Sequence, residues 1–423
     1  MSFKSYRTAI FATIIGNCME WFDYALIGYL APRYLDIYPS ENAAINPLFF
    51  IYAAGLIGRP IGGVLFGYLG DIHGRRLILI LSISLMATGA LFTALLPSLF
   101  SFSLLTPMLL LLILLVHNLS AGGETPGTVA YLYESFPKRL RPFALSWVNF
   151  GFFLGVFLST VDFSSLYWEL KESVFLDWGW RLPFIFSAFI GFIGLAFRRR
   201  LHESPQFSQM KHDHDLVKNP FKILWRDYKK ECFLGTGLLT LHTVALNTLV
   251  IFNPSYFQTF LKRTPDETLT LSVFCMMIGL LATPFSGFLT LKFPAKKILK
   301  LCLILITFMT WPLYLALQSK SITVIFFANS ILTFICASYS AIIPSFICDL
   351  FPSNLRCSGY SICRNLPIPI LTGLIPLLFS YLIAKKGYIL CPAYAIIIAA
   401  VISLICFLLS QEKKESAFKK ALT

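Results

Sequence analysis

Twelve apolar runs, each of roughly the 20 residues that a helix needs to cross about 30 Å of hydrocarbon, constrain this chain more than any motif in it. They lie near residues 9–30, 47–69, 77–97, 104–132, 143–162, 182–197, 232–252, 268–290, 298–317, 321–346, 358–383 and 388–410. Lipid offers no partner to a backbone N–H or C=O, so each run must satisfy its own groups as a helix. The expected fold is therefore an all-α polytopic membrane protein with 12 transmembrane helices in two six-helix halves. Only 13% of the 423 residues are charged, and the mean hydropathy is +0.72, far from the balance of a soluble domain. The first run carries Glu20 and Asp23, with no small-residue cleavage site after a clean apolar core, so it reads as a retained span and not a leader.

A net charge of +14 would suit a nucleic-acid binder if the basic residues gathered on a soluble face. They gather in alternate connections instead. Lys4 and Arg7 precede the first run, Arg75 and Arg76 join the second and third, and Lys138, Arg139 and Arg141 join the fourth and fifth. The stretch 198–231 holds Arg198, Arg199, Arg200, Lys211, Lys218, Lys222, Arg226, Lys229 and Lys230. Lys292, Lys296, Lys297 and Lys300 follow the eighth run, Arg356 follows the tenth, and Lys413, Lys414, Lys419 and Lys420 follow the twelfth. These positions account for 25 of the 35 Lys and Arg residues. The opposite connections hold Asp36, Glu41, Glu169, Glu172, Asp177, Asp266 and Glu267. The positive-inside rule assigns the basic set to one membrane face, which predicts both termini in the cytoplasm and argues against nucleic acid as a partner.

The chain repeats itself. Residues 134–146, ESFPKRLRPFALS, and 349–361, DLFPSNLRCSGYS, share acid-x-Phe-Pro-x-x-Leu-Arg and a later serine, at an offset of 215. A weaker echo sets GYLGDIHGRRLIL (67–79) beside GFLTLKFPAKKIL (287–299). Two parallel repeats of six spans are a transporter architecture. The expected organisation is an N-terminal six-helix bundle over 1–197, a cytoplasmic central loop over 198–231, a C-terminal six-helix bundle over 232–410 and a short cytoplasmic tail over 411–423.

Polar residues inside the runs carry the functional signal. Asn17, Glu20 and Tyr24 share one helix face, with Asp23 at its edge. An ionised side chain at mid-membrane costs on the order of 3 kcal/mol, so Glu20, Asp23, Arg59, Glu124 and Arg364 must face one another, water or a ligand. Glu20 and Asp23 are candidates for proton or cation handling, since a desolvated carboxylate can load and release a proton; a static ion pair with Arg59 is the competing reading. Glu124 follows two glycines, and His117 lies seven positions earlier, where a histidine can shuttle protons or simply pack. His242, Asn247 and Asn253 precede Pro254, and Arg364 and Asn365 precede Pro367, Pro369 and Pro376, so both segments read as loosened helices near a binding site. Arg364 either binds a substrate carboxylate or snorkels to the interface. The ten cysteines include no C-x-x-C pair and read as packing residues. KHDHD, around His212 to Asp215, reads as a solvated linker, with cation binding the alternative, and no metal is expected.

The stretches GNCMEWFDYALIGYLAP, GRPIGGVLFGYLGDIHGRR, SAGGETPGTVAYLYESFP, DWGWRLPFIFSAFIGFIGLAFRRRLHESPQF and DLFPSNLRCSGYS together resemble the metabolite:proton symporter branch of the major facilitator superfamily. That branch includes proline/betaine, citrate, 2-oxoglutarate and shikimate carriers. The resemblance implies that Gly67, Asp71, Gly74, Arg75 and Arg76 form a conformational latch that stabilises the outward-open state. Leu291 replaces the acid in the second copy, so only the first is expected to latch strongly. The chain departs from its branch on the fourth run, where Leu114 and His117 stand in place of the usual arginine and glutamine before Glu124, and at Arg364, where the pattern is more often apolar.

The expected function is proton-coupled import of a small organic acid, amino acid or betaine by alternating access. Glu20, Asp23, Glu124 and His117 would couple the cation, and Asn17, Tyr24, Arg59, His242, Asn247, Arg364 and Asn365 would bind substrate. An uncoupled facilitator or exporter, or a transport-dead receptor, are the alternatives. No catalytic motif or cofactor is expected; a proton gradient would supply the energy. The expected partners are a small-molecule substrate and the lipid bilayer, and the expected location is the bacterial inner membrane, as a functional monomer.

Overall fold

A computed structural model describes residues 3–37, 54–96 and 105–422, and among them every regular element is helical. The first part of the chain forms α1 (Phe3–Ile37), α2 (Gly58–His73), α3 (Arg75–Ala94), α4 (Leu105–Ser135), α5 (Arg141–Glu169), the short α6 (Glu172–Asp177) and α7 (Leu182–Arg199). Two short helices follow, α8 (Pro205–His212) and α9 (Pro220–Asp227). The second part forms α10 (Lys229–Leu246), α11 (Pro265–Lys292), α12 (Ala295–Leu317), α13 (Ile322–Cys348), α14 (Arg356–Asn365), α15 (Ile375–Lys386) and α16 (Cys391–Leu422).

Eleven helical segments among the described residues are long and apolar enough to cross a membrane. The run near 47–69 begins outside the described residues and ends in α2. Glu41 also lies outside them, as do the side chains of Lys4, Asp36, Glu172, Lys413, Lys414, Lys419 and Lys420. The stretch expected as a central loop contains α8 and α9, and its first residues still belong to α7.

The 215-residue repeat reappears as a repeat of packing. In the first part, α2 and α3 pack on α4, α3 and α1 pack on α7, and α1 meets α4. In the second, α11 and α12 pack on α13, α12 and α10 pack on α16, and α10 meets α13. Small residues set the closeness of these crossings, because lipid provides no hydrophobic drive for helices to associate. At the crossing of α2 with α4, a Cβ on Gly62 would strike the backbone of Leu119, and one on Gly122 would strike Arg59 O and Gly63 N.

Two segments depart from regular α-helix. Beyond α10 the chain is π-helical over Asn247–Phe252 and Tyr256–Phe260, on either side of Pro254. Between α14 and α15 it is π-helical over Pro369–Leu374. Prolines remove backbone donors here, and the wider π turn accommodates the break.

The chain divides into two compact units. One comprises Met1–Pro137, Trp147–Pro220 and Ser353–Ser361; the other comprises Lys138–Ser146, Phe221–Pro352 and Ile362–Thr423. The division falls within both repeated Phe-Pro-x-x-Leu-Arg segments, directly after Pro137 and directly after Pro352.

Candidate functional site

The acidic stretch of α1 enters a buried polar cluster in the first unit. Arg59 of α2 donates from Nη1 to Glu20 Oε1 at 3.0 Å and from Nε to Asn118 Oδ1 of α4 at 3.1 Å. Its guanidinium lies 5.4 Å from the Trp21 ring centroid and 5.3 Å from that of Tyr24, within cation–π range. Glu20 Oε2 accepts from the Thr125 hydroxyl at 3.1 Å, and the same hydroxyl lies 3.4 Å from Asn17 Oδ1. Asn17 in turn donates to Thr13 O at 3.2 Å. Glu20 is therefore an ion-pair partner held on both oxygens.

Asp23 differs. It is buried, yet neither of its oxygens has a hydrogen-bond donor in place. His117 Nδ1 lies 3.7 Å from Asp23 Oδ2, and the Ser187 side chain of α7 faces the same carboxyl. A separation of 3.7 Å is too long for a hydrogen bond but short enough for one to form with a small side-chain movement.

Glu124 does not join this group. Its two oxygens take a bidentate ion pair from Arg198, Nη1 to Oε2 at 2.6 Å and Nη2 to Oε1, with Ser82 at 2.7 Å and Thr128 at 3.2 Å completing the set. Arg198 also donates to Leu79 O of α3 and Ala12 O of α1. Four helices are tied at one buried point. The basic residue counted with the central loop is thus the fully buried last turn of α7, and it supplies the positive charge beside Glu124. Leu114, in the place of the usual arginine, sits in an apolar cluster with Phe22, Leu26 and Trp180.

The residues around Asp71 form a second buried network, also in the first unit. Asp71 pairs with Arg75 Nη2 at 3.1 Å and accepts from the backbone N–H groups of Cys357 at 3.2 Å and Ser358 at 2.9 Å. These amides open α14, so the carboxylate occupies the positive end of a helix dipole. Arg75 donates to both oxygens of Glu134 at 3.0 Å, to Ser353 O at 2.7 Å and to Gly70 O. Arg356 reaches Glu134 Oε1 at 2.9 Å, and Ser204 reaches Oε2 at 2.6 Å. Gly74 takes φ 115°, which only glycine adopts readily, and so turns the chain from α2 into α3. Glu203 then accepts from the N–H groups of Arg75 and Arg76 at the start of α3, while the Arg76 side chain donates to Arg199 O. Gly67 is buried in α2. Glu134, Glu203 and Arg356 are partners that the decapeptide motif alone did not reveal; the repeated acid and arginine at 134 and 356 were the available signal.

The equivalent place in the second unit has no carboxylate at the position of Asp71. Phe143 packs on Phe288 with tilted rings and centroids 4.9 Å apart, a Cβ on Gly287 would meet Ser146, and Arg139 donates to the backbone O of Leu291 at 3.4 Å.

The second unit also holds a buried polar group. Arg364 Nη1 lies 3.2 Å from His242 Nε2, and the guanidinium is buried against α10. Asn247 donates to Thr243 O at 2.8 Å and keeps its Oδ1 without a donor. Asn365 is buried beside Arg364 in sequence. Asn253 takes a structural position, bonded to Asn329 at 3.4 Å and Tyr314 at 3.2 Å. His212 and Asp213 form an exposed pair, 3.1 Å apart, and among the described residues no three His, Cys, Asp or Glu side chains gather to hold a metal ion. The ten cysteines are free thiols.

All-helical regular structure among the described residues, a twice-used packing scheme, buried ion pairs and a Gly-Asp-Arg loop seated on a helix N-terminus define a secondary-transporter fold, and the chain belongs to the major facilitator superfamily, matched over residues 13–366. Within it the chain falls in the metabolite:proton symporter branch, with the twelve-helix fold of that superfamily. It is 30% identical to the glycine betaine/proline/ectoine/pipecolic acid transporter OusA of Dickeya dadantii, over 98% of this chain and 85% of that protein. It is 32% identical to a putative proline/betaine transporter of Staphylococcus aureus, over 94% and 87%, and 29% identical to the proline/betaine transporter of Escherichia coli, over 98% and 85%. Among solved structures, the proton:xylose symporter XylE bound to 6-bromo-6-deoxy-D-glucose superposes with a TM-score of 0.76 at 17% identity, covering 97% of this chain and 96% of that one. That likeness concerns the fold alone. The protein is an integral membrane transporter of small molecules.

Proposed function

We propose that this protein is a proton-coupled importer of a small carboxylate-bearing metabolite, such as an amino acid, a betaine or an organic acid, working by alternating access in a bacterial inner membrane with both termini cytoplasmic. The observation that carries the reading is the contrast on α1 between two acids three residues apart. Glu20 is paired on both oxygens, whereas Asp23 is buried without a donor and faces His117 at 3.7 Å. A buried carboxyl beside an imidazole is a site where one proton can be taken up and released as access changes. Asp23 and His117 are the coupling pair in this reading. Glu20 and Arg59 hold the site in shape, with Asn17 and Tyr24 beside them, and Glu124 ties the helices together. The solutes for which the relatives are named, proline and betaines, support a zwitterionic solute. Energetically the scheme is adequate: one charge moved through about 100 mV is worth about 2.3 kcal/mol, or roughly fifty-fold accumulation. The Asp71 network acts as the latch that is made in one conformation and broken in another, and the transport unit is a monomer.

The test is uptake by purified protein in liposomes, with proline, glycine betaine, citrate, 2-oxoglutarate and shikimate offered with and without an inward proton gradient. Uptake of at least one solute should rise with the gradient, and Asp23→Asn should abolish that rise while leaving solute exchange at zero gradient. Equal uptake with and without the gradient in the unaltered protein would make it a facilitator and the two acids structural.

A further inference from the structure

Five arginines are buried among the described residues: Arg59, Arg75, Arg198, Arg356 and Arg364. Four of them have a carboxylate within 4 Å: Glu20 for Arg59, Asp71 and Glu134 for Arg75, Glu124 for Arg198, and Glu134 for Arg356. Among the described residues Arg364 has none, and its one side-chain partner there is His242. A guanidinium only donates, so His242 must accept at Nε2, and the imidazole is then neutral with its proton on Nδ1. That Nδ1 is buried and has no acceptor. The pair therefore carries a full positive charge, offers N–H groups at both ends and includes no anion to receive them. A cation left so in a membrane-embedded protein is costly unless a counter-ion arrives. The backbone around the pair is also irregular: α10 turns π-helical from Asn247, five residues after His242, and α14 gives way to π-helical Pro369–Leu374 five residues after Arg364. Helix breaks of this kind in membrane proteins accompany ligand sites lined by the broken segment.

We infer that Arg364 and His242 form a carboxylate-binding site in the second unit, which receives the carboxylate of the transported solute. The inference rests on the carrier reading above and adds to it the group by which the solute is held. A guanidinium fork matches the two oxygens of a carboxylate, and each charge-assisted bond is stronger than a neutral one. The neighbouring His242 N–H selects further for an acceptor. Within CRNLPIPILTG the only charged side chain is that of Arg364, with Asn365 and Thr372 as polar neighbours in sequence.

The experiment measures binding to the full-length purified protein with matched probes that differ in the carboxylate: glycine betaine against choline, and proline against pyrrolidine, with acetate as a minimal anion. The unaltered protein should bind at least one carboxylate probe and prefer it to its partner by about tenfold or more, as loss of a charge-assisted bond implies. Arg364→Gln should remove that preference, Arg364→Lys should retain part of it, and His242→Leu should weaken carboxylate binding severalfold. Equal binding of carboxylate and carboxylate-free probes by the unaltered protein overturns the site, as does an unchanged preference in Arg364→Gln. Liposome uptake separates the two readings. A protein that carries solutes but ignores the carboxylate sinks only the present inference, whereas a protein that carries none of the offered solutes sinks the carrier reading as well.

Discussion

At the scale of residues, the buried charges of this protein do two different jobs. Glu124 accepts from Arg198, Ser82 and Thr128 on both oxygens, whereas Asp23 has no donor within hydrogen-bond distance among the described residues. Removing the charge of Glu124 would strand Arg198 buried among four helices, a loss of about 3–5 kcal/mol for a buried pair broken on one side. Glu124→Gln is thus expected to lower the melting temperature of the purified protein sharply, and the double variant Glu124→Gln with Arg198→Met to regain part of it, as followed by thermal unfolding in detergent. Equal stability of all three proteins would show that the pair is not structural. The acid itself was plain in the chain as a carboxylate after two glycines. Its partner was not, because Arg198 reads as one of three consecutive basic residues ending a span and 74 positions separate the two.

At the scale of elements, the start of α14 depends on a carboxylate from α2. Asp71 receives the N–H groups of Cys357 and Ser358, two of the donors that the first turn of any helix leaves unpaired. An acid at that position is worth about 0.3–1 kcal/mol at an exposed helix end and up to about 2 when partly buried. Asp71→Asn keeps the side-chain shape but loses the charge, and it should loosen this turn. The buried Cys357 thiol, packed beside Gly70, reports the change: maleimide should modify it faster in the variant than in the unaltered protein, in a background where the other cysteines are replaced. Unchanged labelling would mean that the charge of Asp71 does not hold the segment. The Gly-x-x-x-Asp-x-x-Gly-Arg-Arg spacing made the turn and the acid legible. What the acid touches was not, since the receiving amides lie 286 and 287 residues away.

At the scale of the whole molecule, duplication explains both the likeness and the difference between the two units. The same helix pairings recur, yet Leu291 stands where Asp71 would be, and Phe143 on Phe288 replaces a charged cap. Restoring the acid tests whether the asymmetry matters for turnover: Leu291→Asp would set a carboxylate near Arg139 and the first turn of α5. The expected result in liposomes is an initial uptake rate severalfold lower with solute affinity unchanged, because a second latch stabilises one state of the cycle without touching the solute. A rate equal to that of the unaltered protein would show that the second copy has no latching role. The chain alone determined the solvent, the helical class, the run of spans and the duplication. These follow from local hydropathy, from the backbone's need for internal hydrogen bonds in lipid, and from repeated motifs. Only the tertiary structure decided which charges meet. Helical periodicity says which face a residue shares, but not which distant helix lies opposite. Glu20 and Glu124 proved to be paired, Asp23 to face His117, and Arg364 to stand without an acid among the described residues, for that reason.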